Sequence, residues 1–277
     1  MKNFKKLLAV LLAGLMLLSL AACGGKDENV VKIGTLSKVQ MDISHTAEHA
    51  AQINEEHKGS ADVTVEYVEY SNLSAALMDL ESGKINVLTS EKCTADYIAA
   101  RNDKVTVAST GSMTDFFMMT MENNKEVYDI LNNAIKDMKA DGTLDSLIAN
   151  ELKAYIESDP EPKELPHFDG ARTIKIGVTG DVPPMDFVAA NGNAAGFNIA
   201  LLTEIANRAQ VNFELVQIDT GARAMALSSG KADAVFWSKS YTCTVCNTSA
   251  PEKIDGIILT ESYFPDYVTS ILLKSEK

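Results

Sequence analysis

The sequence predicts an α/β fold made of two similar halves. Short apolar strands alternate with amphipathic helices from residue 30 onward, and a charged, proline-rich segment at residues 158–170 interrupts this alternation before it starts again. A weak repeat links the halves, because residues 80–88 (LESGKINVL) and 227–235 (LSSGKADAV) each place a glycine between a helix and a buried strand. A length of 277 residues fits about two domains.

The first half is predicted to contain five strands and five helices. Alternating or continuously apolar runs indicate the strands, whereas apolar residues spaced three and four apart indicate the helices. Glycine marks two helix ends, at Gly83 and Gly142. The predicted strands are 30–36, 63–70, 85–89, 105–109 and 116–121, and the predicted helices are 44–57, 73–82, 93–102, 124–139 and 143–157.

The second half repeats the same alternation after an extended linker. Each residue before a proline in the linker resists helix formation. Because the strands are separated by helices, we expect parallel sheets, one in each half. The predicted strands are 173–178, 213–218, 232–237, 257–260 and 267–273, and the predicted helices are 197–209 and 222–229.

The N-terminus has the pattern of an export signal. Three lysines within residues 1–6 precede an apolar run at 7–20, which is short for a membrane-spanning helix. The sequence Leu20-Ala-Ala-Cys23-Gly resembles a bacterial lipobox, which implies removal of residues 1–22 and acylation of Cys23, with residues 23–30 as a tether. We therefore expect a lipoprotein, palmitate-modified and anchored on the extracytoplasmic face of the cell membrane. A plain secretory signal is the alternative.

Charge and cysteine spacing exclude several kinds of function. A net charge of −13 disfavours nucleic acid binding. Export permits disulfides, so the CxxC spacing of Cys243 and Cys246 indicates a possible loop disulfide, with free thiols or a redox or metal role as alternatives. His45 and His49 share a predicted helix face without an evident third ligand, so we predict no metal and no cofactor.

The second half resembles the bacterial extracellular solute-binding proteins of family 3, the amino-acid-type receptors of ABC importers. Ordered motifs carry this resemblance over about 100 residues: IKIGVTGDVPPMDF at 174–187, Asn191-Gly192, Gly196-Phe-Asn opening a helix, residues 227–235, and ILTESYF at 258–264.

The first half resembles the other part of the same family. VKIGTL at 31–36 is similar to the start of the family's second lobe, residues 80–91 to its ligand-facing segment, and residues 123–147 to its C-terminal helices. The lobe order is therefore exchanged, as in a circular permutation. The implied lobes are residues 31–112, a hinge crossing at 113–123, and residues 124–277, made of return helices 124–157, linker 158–171 and core 172–277. Two independent domains that divide at the linker are the alternative.

The resemblance implies a periplasmic-binding-protein-like fold of type II, with two α/β lobes, a hinge and a cleft between the lobes. It also implies a receptor, not an enzyme, that closes on a small polar ligand such as an amino acid and delivers it to an ABC permease. We expect a monomer. A dehydratase-like enzyme that uses Glu91 with Asp181, and a sensory or scaffold lipoprotein with a degenerate cleft, are the alternatives.

Candidate ligand-binding residues lie at the carboxyl ends of the predicted strands. By the resemblance, Glu91 falls where the family has the carboxylate that holds a ligand ammonium group; the alternative is an exposed residue before a helix. Asp181 either accepts from a ligand amine or caps a turn, and Trp237 lines either the pocket or the core. The same strand ends add further candidates: Thr35, Ser37, Ser238 and Lys239.

One motif of the family is missing. The family's Thr-x-x-Arg, whose arginine binds a ligand carboxylate, is absent after Ala234, where the chain reads SKSYTCTVCN at 238–247. Lys239, Arg223 or Lys253 is a possible replacement cation, although each is also interpreted as a solvated surface charge, and lysine lacks the planar fork of arginine. The identity of the ligand therefore stays open.

Overall fold

The computed structural model describes residues 30–36, 64–158, 160–238 and 254–274. Several predictions fall outside these residues: the signal peptide with Cys23, the helix at 44–57, and the segment with Cys243 and Cys246. Within the described ranges, no helix combines the length and the apolar character needed to cross a bilayer.

The described strands and helices follow the predicted alternation. The strands are β1 (Val30–Leu36), β2 (Thr64–Tyr70), β3 (Val87–Glu91), β4 (Val105–Met121), β5 (Thr173–Val178), β6 (Asp181–Val182), β7 (Asp186–Val188), β8 (Ala194–Ala195), β9 (Asn212–Gln217), β10 (Ala234–Ser238), β11 (Ile257–Leu259) and β12 (Phe264–Leu273). The helices are α1 (Leu73–Glu81), α2 (Lys92–Arg101), α3 (Lys125–Asp141), α4 (Thr143–Leu147), α5 (Lys153–Glu157), α6 (Phe197–Ala209) and α7 (Arg223–Ser228).

Local chemistry explains several helix ends. Asn72 precedes α1, and its side-chain oxygen accepts a hydrogen bond from the Ala75 amide at 2.8 Å. Gly142 ends α3 with φ of 79°, a left-handed conformation that glycine adopts without steric cost. The predicted helix at 143–157 contains a π-helical turn at Ile148–Leu152 between α4 and α5.

The strands form one continuous sheet rather than the two separate parallel sheets that the alternation predicts. Its order is β2-β1-β3-β12-β4-β10-β5-β9, and β11 pairs with β4 outside this path. The pairs β1–β2, β1–β3, β5–β9 and β10–β5 are parallel, whereas β12 and β4 are antiparallel to each other and join the two parallel parts. The prediction of two separate sheets is wrong because β4 and β12 extend through both parts.

The two strands β4 and β12 are the crossings between the two parts. In β4, residues 105–109 pair with residues 269–273 of β12, whereas residues 116–120 pair with β10. The predicted strands at 105–109 and 116–121 are therefore one strand. Residues 105–109 and 113–116 both pair with β12, and pairing with β10 begins at residue 116, within the predicted 113–123 crossing. In β12, Val268–Ile271 pair with β3, so this part of the strand lies in the first sheet part and not in the lobe 124–277 that the sequence predicts.

Separate hydrophobic cores define two lobes. The N-lobe contains β1–β3, α1, α2 and the adjoining ends of β4 and β12, and its core includes Leu80, Leu88 and Ile271. The C-lobe contains the remaining elements, with one core beneath α3–α6 and a second beneath α7 on the opposite face of the sheet. Cys93, in the first turn of α2, packs into the first of these C-lobe cores. The linker is fixed to the C-lobe, since the Asn212 side chain accepts from the Phe168 amide at 2.8 Å and donates to its carbonyl at 3.0 Å.

Candidate functional site

The carboxyl ends of β5 and β9 bring charged residues to one edge of the C-lobe sheet. These strands are parallel neighbours in which Val178 pairs with Gln217. After β5 the chain turns through Thr179 and Gly180 to Asp181, and after β9 a short 3₁₀ turn leads to Arg223 at the start of α7. Adjacent parallel strands thus position a carboxylate and a guanidinium group at the same edge.

A buried carboxylate, Asp186, anchors the small sheet β6–β8 beside this edge. Its Oδ1 accepts from the Thr179 amide at 3.0 Å, the Thr179 hydroxyl at 2.8 Å and the Gly180 amide at 2.7 Å. Its Oδ2 accepts from the Asn198 side chain at 3.2 Å. Only 5% of Asp186 is exposed, so these donors replace the water that a buried carboxylate loses. Asp186 is a structural residue that sequence reasoning did not single out.

Gly196 lets α6 begin against this same turn. Its φ is 113°, and a Cβ atom at this position would lie 2.4 Å from the Met185 carbonyl oxygen. Only glycine avoids both the backbone strain and the clash. The Gly-Phe-Asn motif therefore positions Asn198, whose side chain reaches Asp186 and accepts from the Tyr263 hydroxyl at 3.3 Å.

Asp181 differs from Asp186 because its Oδ1 is buried and has no hydrogen-bond partner among the described residues. Burial raises the pKa of Asp181, and the charge of Asp186 raises it further, whereas the Thr179 hydroxyl and Arg223 lower it. Asp181 opens β6, so both of the predicted roles, turn residue and ligand acceptor, remain compatible with its position.

Glu91 comes from the N-lobe, at the last position of β3 and immediately before α2. Only 7% of the residue is exposed, so the interpretation as an exposed glutamate before a helix is wrong. Its backbone pairs with Val268 of the crossing strand β12. Glu91 therefore lies next to the junction of the two lobes.

Carboxylates of both lobes lie close enough to Arg223 for their charges to affect its pKa. Burial lowers the pKa of Arg223, while the charges of Asp186, Asp181, Tyr263 and Glu91, in that order, raise it. The residue is half-buried, so its interpretation as a solvated surface charge is wrong. In the sequence, Arg223 follows closely after the predicted strand 213–218, and residues beyond the carboxyl ends of parallel strands are candidates for a ligand-binding cleft.

The other predicted ligand-binding residues are only partly described. Thr35 lies at the carboxyl end of β1, where it pairs with Thr89 of β3. Trp237 and Ser238 belong to β10, and their backbones pair with Phe117 and Phe116 of β4. Ser37, Lys239, Lys253, Cys243 and Cys246 lie outside the described residues. No described group of three or more His, Cys, Asp or Glu residues has the arrangement of a metal site.

A second contact between the lobes forms where α2 meets α5 and β7. The Tyr97 and Phe187 rings have centroids 6.0 Å apart, and the Tyr155 and Phe187 rings meet edge to face at 5.8 Å. The Arg101 guanidinium lies 3.7 Å from the Tyr97 ring centroid and donates to backbone carbonyls at the end of α5. We call Tyr97, Arg101, Tyr155 and Phe187 the latch, because they join the lobes without covalent continuity.

A sequence comparison identifies part of this architecture. Residues 174–245, about a quarter of the chain, match the sequence model of the bacterial extracellular solute-binding proteins, family 3. These residues carry the family-3 solute-binding sequence. The matched segment contains β5–β10, α6 and α7, and therefore Asp181, Asp186 and Arg223. Over these residues the match agrees with the resemblance that the sequence predicts, and the described hydrophobic cores form the two α/β lobes that it implies. The circular permutation stays a prediction.

Comparison with solved structures gives distant likenesses. The ligand-binding component of an ABC-type import system from Staphylococcus aureus, with zinc bound, has a TM-score of 0.48 and 13% identity, covering 88% of this chain and 66% of that chain. A putative L-cystine ABC transporter from Listeria monocytogenes has a TM-score of 0.42 and 11% identity, covering 90% and 84%. The reduced regulatory domain of OxyR from Pseudomonas aeruginosa has a TM-score of 0.41 and 10% identity, covering 90% of each chain.

These TM-scores and identities are too low to bear on the ligand or the partner of this chain. The chain also spans slightly less than two thirds of the S. aureus protein. No curated protein matches the chain in sequence.

Proposed function

We propose that the protein is a receptor that captures a small polar solute, an amino acid or a related compound, between its lobes and delivers it to an ABC permease. The observation that carries this proposal is the position of Arg223 at the start of α7, beyond the carboxyl end of β9. The charges of Asp186 and Asp181 of the C-lobe and of Glu91 of the N-lobe raise its pKa. The family-3 match over residues 174–245 supports the same conclusion.

The charges of the cleft suit a ligand with both an acidic and an amino group. The planar guanidinium of Arg223 is suited to a bidentate contact with a ligand carboxylate. Arg223 would thus take over the function of the missing family arginine from a different position in the sequence. Glu91 is suited to an ammonium group. Because these two residues belong to different lobes, a ligand that touches both stabilises the closed arrangement relative to the open one.

The binding test uses the full chain and a library of amino acids and small organic acids. A ligand that binds only the folded protein raises the thermal midpoint by mass action, and calorimetry then gives its Kd. We expect at least one amino-acid-like compound to bind, and we expect it to be recovered unchanged afterwards, as a receptor requires.

Glu91→Gln tests the role of the N-lobe carboxylate in this binding. The variant keeps the side-chain shape but removes the charge, so we expect about tenfold weaker binding or more. Glu122→Gln is the matched control, since Glu122 is exposed in the turn after β4 and should leave Kd unchanged. If the well-folded wild-type protein binds no compound of the library at millimolar concentration, the receptor proposal is contradicted. If Glu91→Gln binds the ligand with the same Kd as the wild type, only the role of Glu91 is contradicted.

The membrane anchor and the permease belong to the same proposal. We expect radiolabelled palmitate to be incorporated into the full chain in a bacterial host and to be lost in Cys23→Ser, because the lipobox places the acylated thiol there. Cys93→Ala is the control, because Cys93 is buried in α2 and should not affect labelling. Labelling that persists in Cys23→Ser contradicts the anchor. For the permease, we expect bacteria that lack the gene for this protein to lose uptake of its ligand.

A further inference from the structure

We propose that the start of the crossing strand β12 positions candidate ligand-binding residues of both lobes: Tyr263 is the positioning residue for Asp181, and Asp266 is the positioning residue for Glu91. The inference rests on the proposed receptor function and specifies how its site is held in place. It follows from two sets of hydrogen bonds that leave the chain within residues 263–266, one toward each lobe.

A chain of hydrogen bonds leads from Tyr263 to the turn before Asp181. The Tyr263 hydroxyl, directly before β12, donates to the side-chain oxygen of Asn198 at 3.3 Å. The side-chain amide of Asn198 then donates to Oδ2 of Asp186 at 3.2 Å. Oδ1 of Asp186 accepts from the two backbone amides that immediately precede Asp181, at 3.0 and 2.7 Å. The turn that carries Asp181 is therefore connected to Tyr263 by side chains alone.

This chain of hydrogen bonds is enclosed by protein. Tyr263, Asn198 and Asp186 are each at most 5% exposed. The Tyr263 ring is fixed by its neighbours, with ring centroids 6.2 Å from Phe116 and 5.8 Å from Phe236. Removal of one buried partner leaves a polar atom unsatisfied, and the rest of the network must then rearrange. The position of the Tyr263 hydroxyl should therefore affect the position of the Asp181 turn.

Asp266 holds the N-terminus of α2 from the same strand. Glu91 occupies the position before α2 from which a side chain commonly caps a helix, but its side chain makes no capping hydrogen bond to this helix. Instead, Oδ2 of Asp266 accepts from the backbone amide of Cys93 at 2.9 Å. Asp266 thus caps α2 in place of Glu91. Glu91 lies between this contact and the pairing of its own backbone with Val268.

Both candidate residues are thus positioned relative to one strand that runs through both lobes. A binding site requires its side chains to be held within about 0.5 Å of the productive geometry, which contacts outside the site must provide. The hydrogen bonds of Tyr263 and Asp266 are contacts of this kind. A ligand that touches both Asp181 and Glu91 should therefore bind less tightly when either contact is lost.

Tyr263→Phe tests the contact with the C-lobe turn by calorimetry on the full chain. The protein amino acids are the probes, and the one that binds the wild-type chain most tightly is used with every variant. Loss of the hydroxyl should weaken binding by about tenfold. In an Asp181→Ala background the same change should leave Kd unchanged, because a residue that acts only through Asp181 has no effect without it. Tyr128→Phe, at a half-buried position on α3, is the matched control and should leave Kd unchanged in both backgrounds.

Asp266→Ala tests the contact with α2 in the same way. Loss of the acceptor should weaken binding by about tenfold in the wild-type chain but not in a Glu91→Ala background. Asp266→Asn keeps an acceptor for the Cys93 amide and should restore the wild-type Kd. Asp266→Leu fills the same space without an acceptor and replaces Asp266→Ala if that variant does not fold. Asp137→Ala, an exposed change on α3, is the matched control.

Amide hydrogen exchange, measured by NMR, tests both contacts without any ligand. We expect the Gly180 amide to exchange faster in Tyr263→Phe, because its acceptor Asp186 is less well held. The Cys93 amide should exchange faster in Asp266→Ala, where its acceptor is missing. The amides in the middle of α3 should exchange at the wild-type rate in both variants.

The outcomes separate this inference from the receptor proposal. Unchanged exchange at Gly180 and Cys93 overturns the inference while the receptor stands. Losses of binding that add to those of Asp181→Ala and Glu91→Ala also overturn it, because Tyr263 and Asp266 would then act on stability in general. If the folded wild-type chain binds none of the amino acids, the amino-acid receptor and the positioning roles fail together, whatever the exchange rates.

Discussion

The lobes meet at two places that are built in different ways. At the crossing, β4 and β12 carry the chain from one lobe to the other, and they are paired along most of their length. At the latch, side chains of α2 in the N-lobe touch aromatic rings and backbone carbonyls of the C-lobe. The first contact must persist whenever the protein is folded, whereas the second can break while both lobes stay intact.

The crossing is held by a buried group of aromatic rings, Phe116, Phe197, Tyr263 and Phe264, which we call the hinge cluster. The Phe116 and Phe264 rings lie 5.4 Å apart, and the Phe197 and Phe264 rings lie 5.8 Å apart. Each member of the hinge cluster is at most 6% exposed. Rings enclosed in this way contribute burial as well as favourable tilted contacts.

The latch is more polar and more exposed. Arg101 donates to the carbonyls of Ile156 at 2.9 Å, Tyr155 at 3.1 Å and Ser158 at 2.8 Å. These are the carbonyls that α5 leaves without helical partners at its C-terminus, and a cation is favourable there. Arg101 itself is exposed and Tyr97 and Phe187 are half-buried, whereas Tyr155 is buried. Water can replace many of these contacts, so the latch suits a reversible closure.

The largest expected difference between the two contacts is in the free energy of unfolding that is lost when one aromatic side chain in each is replaced by alanine. Phe264→Ala leaves a cavity inside the hinge cluster and should lower the free energy of unfolding by about 3 kcal/mol or more. Phe187→Ala in the latch removes the same ring from a half-buried position and should cost about 1 kcal/mol. Urea denaturation of both variants measures the difference. Equal losses at the two positions would contradict the distinction between hinge and latch.

The sequence predicts best those elements whose pattern is local. Val30–Leu36, Thr173–Val178 and Phe197–Ala209 have the predicted bounds, because apolar periodicity indicates each one without distant partners. The single strand β4 could not be predicted in the same way. Polar residues at 110–112 interrupt its apolar runs, and its continuity depends on pairing with β12, about 160 residues later in the chain.

The small sheet β6–β8 escaped prediction for a different reason. Its strands have two or three residues, and the donors around Asp186 hold the turn that aligns them. Such a network joins Thr179, Asp186 and Asn198 across the start of α6, and none of these contacts follows from hydrophobic periodicity. The short strands are a consequence of the network rather than of strand propensity.

The candidate site divides along similar lines. Glu91 was proposed from the resemblance and Asp181 from its place after a predicted strand, and the charges of both raise the pKa of Arg223. Arg223 was undervalued because a charged residue at the start of a helix is usually solvated. The charge of Glu91 acts on Arg223 only because the crossing strands bring the two lobes together.

A smaller effect than the loss of stability in Phe264→Ala is expected from Arg101→Ala, which should shift the equilibrium between closed and open lobes toward the open arrangement. The variant removes the hydrogen bonds to the three carbonyls, and for an exposed side chain we expect a loss of about 1 kcal/mol from the closed arrangement alone. This corresponds to an approximately fivefold fall in the ratio of closed to open molecules and, at most, in ligand affinity. Small-angle X-ray scattering of the ligand-free protein should give a larger radius of gyration for the variant.

The matched control for this shift is Arg172→Ala. Arg172 is an exposed arginine of the C-lobe that pairs with Glu126 and has no contact with the N-lobe among the described residues, so its loss should change neither the radius nor the affinity. A radius that increases equally in both variants would attribute the effect to general loosening. An unchanged radius and affinity in Arg101→Ala would instead mean that the crossing strands alone fix the angle between the lobes, since the latch would then contribute no free energy to closure.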